Sequence, residues 1–125
     1  MKKILLIGAN GFFGKNISIK LNKFFQIKKF LRKDNLLSIN FSKFDVIINC
    51  AAEVYDEKKM LQNNCIIPFQ ICEKILKENK NCKLIHFGTS LEYGKNDKAH
   101  KENFILKPDH LYASTKSAAT LMTQS

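Results

Sequence analysis

Tyr112 and Lys116 stand four residues apart near the end of this 125-residue chain. Within a helix this spacing puts both side chains on one face. A phenol ordinarily has a pKa of about 10, and a neighbouring ammonium lowers that pKa because it stabilises the phenolate. The pair therefore predicts a general acid or base that moves a proton at a carbinol or a ketone. The competing interpretation is a surface Lys beside a half-buried Tyr with no shared role.

A glycine-rich segment near the start of the chain has the spacing of a phosphate-binding loop. Gly8, Gly11 and Gly14 recur every third residue between a short apolar run and a helical pattern. A pyrophosphate can approach a backbone that lacks Cβ atoms, and the free N–H groups at the positive end of a helix stabilise it. The segment predicts nucleotide binding rather than an ordinary turn. The candidate contacts are Gly8, Asn10, Gly11, Phe12, Phe13 and Gly14.

The end of the second strand candidate bears on which nucleotide is bound. In dinucleotide-binding domains an acid often holds the ribose hydroxyls about 20 residues after the glycines. Here Arg32 and Lys33 occupy that strand end, and Asp34 comes slightly later. A guanidinium beside an ammonium suits a 2′-phosphate, which favours NADP over NAD. The alternative is that Arg32 is simply solvated at the strand end.

The elements that must position these residues alternate between strand and helix. Short apolar runs predict strands at residues 2–7, 26–31, 45–50 and 83–87, with an ambiguous third strand within residues 36–41. Phe13, Ile17, Leu21 and Phe24 follow a helical spacing. Further helices are predicted at about residues 60–77, with a kink or an early turn at Pro68, and 111–122. This order predicts one α/β domain, residues 1–125, with a mostly parallel sheet.

Composition excludes several other classes of protein. The formal net charge is +10, but Arg32 is the only arginine and the lysines are scattered, which indicates a solvated surface rather than a nucleic-acid site. The four cysteines form no C-x-x-C pair and the histidines have no metal spacing, so no metal site is predicted. No apolar run is long enough for a membrane span or a signal peptide. We expect a cytoplasmic protein with no membrane or nucleic-acid partner.

Taken together, five features resemble one family, the extended short-chain dehydrogenase/reductases of the NAD(P)-dependent epimerase/dehydratase type. The glycine segment is followed, in the family's order, by the apolar run that ends in Ala51 and Ala52, by Asn64, by the run 88–94 that contains Thr89, and by Glu102, Pro108, Tyr112 and Lys116. The resemblance implies a Rossmann-like, doubly wound parallel sheet. It also implies that the two alanines lie where the cofactor passes.

The resemblance further implies a role for each site residue. Tyr112 is the proton donor or acceptor, Lys116 lowers the pKa of Tyr112 and binds ribose, and Thr89 hydrogen-bonds the substrate oxygen. The implied cofactor is NADP or NAD, the implied substrate is a nucleotide sugar, and the full-length protein is expected to form a homodimer. Family dehydratases carry a Glu two places after the Thr, where this chain has Leu91. Glu92 comes one place later, an arrangement that favours 4-keto reduction or epimerisation over dehydration.

The family's substrate-binding segment follows the Tyr-Lys helix, and this sequence stops close to the end of that helix. We therefore expect an N-terminal fragment, truncated after the helix, that lacks the substrate-binding part. The alternative function is a non-catalytic NAD(P)-binding regulator or scaffold. A basic nucleic-acid binder is the third possibility, and only the net charge supports it.

Overall fold

A computed structural model describes all 125 residues and contains four strands and four α-helices. The strands are β1 (Lys3–Ile7), β2 (Gln26–Phe30), β3 (Val46–Asn49) and β4 (Lys83–His86). The helices are α1 (Phe12–Leu21), α2 (Glu57–Leu61), α3 (Ile67–Glu78) and α4 (Leu111–Gln124). The chain divides into two compact units, a first unit of Met1–Ala51 with Gln70–Phe87 and a second unit of Ala52–Phe69 with Gly88–Ser125.

The first unit is built on a four-stranded sheet in the order β2-β1-β3-β4, in which all neighbours are parallel. Leu5 on β1 lies opposite Ile47 on β3, and both side chains are completely buried. Continuous aliphatic runs of this kind form strands that are covered on both faces. The parallel sheet confirms the predicted α/β, Rossmann-like fold.

One face of this sheet packs against α1. Ile4, Leu6 and Ile48 form a buried cluster on that face, and Ile17 and Leu21 of the helix pack against it. The predicted helical stripe was wrong at its two ends. Phe13 is 55% exposed, although its ring contacts Phe87, and Phe24 lies beyond the helix and is 68% exposed. The small residues Gly14 and Ser18 are buried instead. At Gly14, α1 closely approaches the backbone of Gly8 and Ala9.

No third strand forms within residues 36–41. This segment forms two short 3₁₀ turns, Leu36–Ser38 and Phe41–Lys43. The side chains of Asn35 and Asn40 each accept a backbone N–H two residues later, at 2.9 Å in both cases, and so begin a turn. Asn favours such local bonds over a strand ladder, which explains why the strand prediction was wrong.

The predicted helix at residues 60–77, which is divided between the two units at Gln70, begins earlier than expected and is interrupted. A π turn, Gln62–Ile66, follows α2 directly and precedes α3, and Pro68 comes two residues after the turn. The predicted last helix is confirmed as α4, which extends two residues further than expected. A 3₁₀ turn, Ser90–Tyr93, completes the regular elements of the second unit.

Candidate active site

The glycine segment forms a tight turn between β1 and α1. Gly8 follows β1 directly and has a φ of +82°, a conformation that favours glycine. A Cβ atom on Gly8 would lie 2.6 Å from the backbone N of Ala51, which follows β3. A Cβ atom on Gly14 would collide with the carbonyl oxygen of Gly8. Both glycines are therefore needed for close backbone packing within the first unit.

The start of α1 has backbone donors that the chain itself does not use. Gly11 N–H donates to the Gly8 carbonyl at 3.1 Å, and the first helical bond runs from Lys15 N–H to the Gly11 carbonyl at 3.0 Å. The intervening N–H groups of Phe12, Phe13 and Gly14 are the unpaired donors of a helix N-terminus. The first turn has no acidic residue, and a Cβ atom on Gly11 would meet only the Gly8 oxygen, at 3.4 Å. This open, positively polarised end fits the pyrophosphate of a dinucleotide.

Arg32 lies in the turn that follows β2, with its side chain exposed. Asp34, the nearest acid, is occupied locally, because its carboxylate accepts the Leu31 N–H at 2.8 Å while its own N–H donates to the Leu31 carbonyl. In a parallel sheet the strands' carboxyl ends lie at one edge, so Gly8, Arg32 and Ala51 share that edge. Asn10 is exposed within the glycine turn.

A polar pair at the same edge, the buried Asn49 and the half-buried His86, is absent from the sequence-based predictions. Asn49 and His86 lie opposite each other at the ends of β3 and β4, with Asn49 Nδ2 3.2 Å from His86 Nδ1. Asn49 Oδ1 accepts the Ala51 N–H at 3.2 Å, which directs the amide nitrogen toward the ring. In this arrangement His86 Nδ1 faces the donor nitrogen of the Asn49 amide. This pair fixes Ala51, which packs against the glycine turn.

The three predicted catalytic residues all lie in the second unit. Tyr112 is in the first turn of α4, and Lys116 follows one turn later with only 2% of its surface exposed. Burial raises the pKa of the Tyr112 phenol above its ordinary value, the Glu92 carboxylate raises it further, and a hydrogen bond with the Thr89 side chain lowers it in part. The lowered pKa predicted from the sequence is therefore not found in the chain by itself, because desolvation is the largest contribution.

The backbone of Thr89 is held by a capping box. The Glu92 carboxylate accepts the Thr89 N–H at 2.9 Å, and the Thr89 hydroxyl oxygen accepts the Leu91 N–H at 3.4 Å. Glu92 is 3% exposed. Sequence reasoning used Glu92 only to exclude a dehydratase. The Thr-x-x-Glu spacing is the signal that could have identified the capping box.

Asn64 lies in the π turn and connects two other parts of the second unit. Its side chain accepts the Glu53 N–H at 2.7 Å and donates to the Glu53 carbonyl at 2.8 Å and to the Thr115 hydroxyl at 3.2 Å. The Thr115 hydroxyl in turn donates to the Tyr112 carbonyl at 2.9 Å. Asn64 is completely buried, so this network fixes the first turn of α4, which carries the tyrosine.

The predicted site residues thus fall into two sets, one in each unit. The first unit holds the glycine segment, Arg32 and Ala51, and the second holds Thr89, Tyr112 and Lys116. Ala52 begins the second unit and is exposed.

No three His, Cys, Asp or Glu side chains are grouped so that they could hold a metal ion. No helix has the length and apolar character needed to cross a membrane.

A family model described as the NAD dependent epimerase/dehydratase family matches residues 4–125. No curated protein sequence matches the chain. Among solved structures, a dTDP-4-dehydrorhamnose reductase from Clostridium acetobutylicum is similar at 24% identity with a TM-score of 0.85, over 98% of this chain and 49% of that one. A UDP-glucuronic acid 4-epimerase from Bacillus cereus, in complex with NAD, is 26% identical with a TM-score of 0.73, over 98% and 51%.

A third solved structure, RMD from Pseudomonas aeruginosa complexed with NADPH, is 18% identical with a TM-score of 0.82, over 98% of this chain and 48% of that one. The chain therefore spans about half the length of each of these three structures. At such identities the first and third structures show the shared fold alone.

Proposed function

The chain belongs to the NAD dependent epimerase/dehydratase family, and from that premise we propose that the protein is an NAD(P)-dependent oxidoreductase or epimerase acting on a nucleotide sugar. One observation carries the proposal. Within the second unit, Thr89 interacts with Tyr112, and Lys116 lies one helical turn further along α4. This set supplies a proton donor, a hydrogen-bonding hydroxyl and a cation, which are the groups that ketone and carbinol chemistry requires.

In this proposal Tyr112 transfers a proton between its phenolic oxygen and the reacting oxygen of the sugar. Thr89 hydrogen-bonds the same oxygen, whose partial negative charge grows during reduction. Lys116 stabilises the phenolate that is left after proton donation. The nicotinamide cofactor, when bound, supplies or accepts the hydride.

The first unit supports a dinucleotide as the cofactor. The N–H groups at the start of α1 fit a pyrophosphate, and the first turn of the helix has no acid that would repel it. Asp34 is held by the Leu31 backbone, whereas Arg32 is exposed beside Lys33. We propose NADP as the preferred form, because two cations suit a 2′-phosphate. Of the similar structures, one contains NAD and another contains NADPH.

Reduction or epimerisation at a 4-keto sugar is the reaction that we favour. A dehydratase needs an acid to remove the proton beside the keto group, and this chain has Leu91 at the position that resemblance assigns to that acid. Leucine cannot accept a proton, and Leu91 is 46% exposed. The UDP-glucuronic acid 4-epimerase that is 26% identical to this chain agrees with this substrate class.

The test is Tyr112→Phe in the intact protein, assayed with NADPH or NADH and nucleotide-linked 4-keto sugars. We expect turnover to fall by about 10²–10⁴-fold, the usual contribution of a general acid. Cofactor binding, followed by NAD(P)H fluorescence, should persist because the glycine segment is unchanged.

Tyr55→Phe is the matched control, because the Tyr55 side chain is 92% exposed. It should leave both turnover and binding unchanged. Equal turnover in wild type and Tyr112→Phe would refute the role of the phenol. A wild-type protein that does not perturb NAD(P)H fluorescence would refute the proposed function as a whole.

A further inference from the structure

Glu92 is a buried carboxylate in the second unit that the proposed reaction does not use. Glu92 is 3% exposed and is the third residue of the Ser90–Tyr93 turn. A carboxylate is costly to bury unless hydrogen bonds replace its water. The burial of Glu92 must therefore be offset by specific contacts within this site.

The hydrogen bonds of Glu92 hold the backbone of the Thr89 turn from two sides. One carboxylate oxygen accepts the Thr89 N–H at 2.9 Å. The Glu92 carbonyl accepts the Lys107 N–H, also at 2.9 Å, which ties the turn to the loop that precedes α4. These bonds orient the Thr89 backbone while its hydroxyl interacts with Tyr112.

The same carboxylate packs closely against the backbone before Thr89. A Cβ atom on Gly88 would lie 3.0 Å from Glu92 Oε1 and 3.4 Å from the Thr120 hydroxyl of α4. The Glu92 carboxylate and the Thr120 hydroxyl of α4 therefore both lie close to Gly88. Any residue larger than glycine at position 88 would press on the carboxylate.

Several charged groups surround Tyr112 within this unit. Glu92 faces it from the Ser90–Tyr93 turn, and Lys116 follows it on its own helix. The His110 ring stacks on the tyrosine ring at 6.3 Å and is paired with Asp109 at 2.6 Å. Glu92 is the negative group among these that contributes to raising the pKa of the phenol.

We propose that Glu92 is a positioning residue, whose carboxylate fixes the Thr89 turn and so holds the Thr89 hydroxyl against Tyr112. This inference rests on the proposed function for the roles of Thr89 and Tyr112. It adds to that function a buried acid that acts through the position of Thr89.

The test separates the charge of Glu92 from its hydrogen bond. Glu92→Gln keeps the carbonyl acceptor and removes the charge, whereas Glu92→Ala removes both. In the chain without cofactor, the Tyr112 titration is followed by phenolate absorbance and is identified by subtracting the Tyr112→Phe curve. Exchange of the Thr89 amide hydrogen is followed by NMR.

We expect Glu92→Gln to move the Tyr112 titration midpoint to lower pH, because one negative charge is lost, with the Thr89 amide still protected. Glu92→Ala should in addition make that amide exchange about tenfold faster or more. Glu57→Gln, an exposed acid at the start of α2 in the same unit, should change neither signal. A shift of equal size in Glu57→Gln would mean that general surface charge is responsible.

An unchanged exchange rate of the Thr89 amide in Glu92→Ala would overturn the proposal even if the protein is an active reductase. Conversely, faster exchange of that amide in Glu92→Ala, in a protein that neither binds nor turns over NAD(P)H, would support the role of Glu92 while refuting the proposed function. The two inferences therefore fail separately.

Discussion

The first unit buries aliphatic side chains around a parallel sheet, whereas the second buries amide, hydroxyl and charged groups among short helices. Leu5, Leu6 and Ile47 are completely covered in the first. In the second, Asn64 is completely covered and Glu92 and Lys116 are nearly so. Apolar burial has no direction, while each buried polar group needs a partner at one place. An interior with buried, partnered polar groups, as in the second unit, is therefore suited to holding reacting atoms at fixed positions.

The largest effect that tests this contrast is expected in the sheet. Ile47→Ala should lower the free energy of unfolding by about 2–5 kcal/mol, because it leaves a cavity in the central strand β3. The measurement is urea unfolding followed by circular dichroism. Ile85→Ala on β4 is the control, since that side chain is 50% exposed and should change stability much less. Equal losses in the two variants would mean that the sheet interior is loosely packed.

A slightly smaller loss is expected for Asn64→Leu, although this change adds apolar surface to a buried position. The Glu53 N–H and carbonyl lose their side-chain partner, and we expect a loss of about 2–3 kcal/mol in the free energy of unfolding. Asn63→Leu in the same π turn should be close to neutral. If Asn64→Leu were neutral or stabilising in urea unfolding, the second unit would not depend on its polar network.

Glu78→Gln tests a polar contact in the first unit, whose core is mainly aliphatic. Lys74 and then the Phe41 N–H hold the pKa of the Glu78 carboxyl below its ordinary value. Its stabilisation is complete above the pKa of the unfolded chain and is lost as the pH falls through the lower pKa of the folded chain. The variant should be about 0.5–1 kcal/mol less stable at pH 7, and the difference should shrink as the pH falls below the ordinary carboxyl pKa of about 4.3.

The exposed Glu73, also on α3, provides the control for that measurement. Thermal unfolding at pH 7 should show a smaller loss of stability for Glu73→Gln than for Glu78→Gln. A Glu78→Gln deficit that stays constant down to pH 3 would show that packing, rather than ionisation, is responsible.

The smallest expected effect concerns the preference for NADP over NAD, which we assign to Arg32 in the first unit. Arg32→Ala should weaken NADPH binding about twofold to fivefold, as for an exposed ion pair, and leave NADH binding unchanged. Fluorescence titration measures both affinities. Tyr112→Phe in the second unit should leave their ratio as in the wild type. If Arg32→Ala weakened both cofactors equally, the preference for NADP would be abandoned.

The strands of the sheet were predicted well because a continuous apolar run such as Ile4–Ile7 is stable in a small domain only when it is buried. The prediction of a third strand was wrong because Asn35 and Asn40 cap local turns, which outweigh a short apolar pattern. In the second unit, the spacing of Tyr112 and Lys116 was sufficient to place both on α4.

The buried partners of the candidate site could not be predicted in the same way. Burial of Glu92 depends on the Thr89 N–H and on close packing against Gly88, and the pairing of Asn49 with His86 joins residues 37 positions apart. Neither follows from periodicity, since a polar residue gives the same sequence signal in water and in an interior. The raised pKa of Tyr112 has the same origin, because its largest cause is burial.

The π turn at Gln62–Ile66 has a consequence for which deletions this chain can tolerate. A π turn contains one residue more than an α turn, and each helical residue rotates the chain by about 100°. Deleting Asn63 would restore ordinary α-helical phase and keep a continuous helix. It would also rotate Asn64 relative to Met60, away from Glu53 and Thr115. We therefore expect that this one-residue excess is under stronger selection than the identity of the residues that flank Asn64.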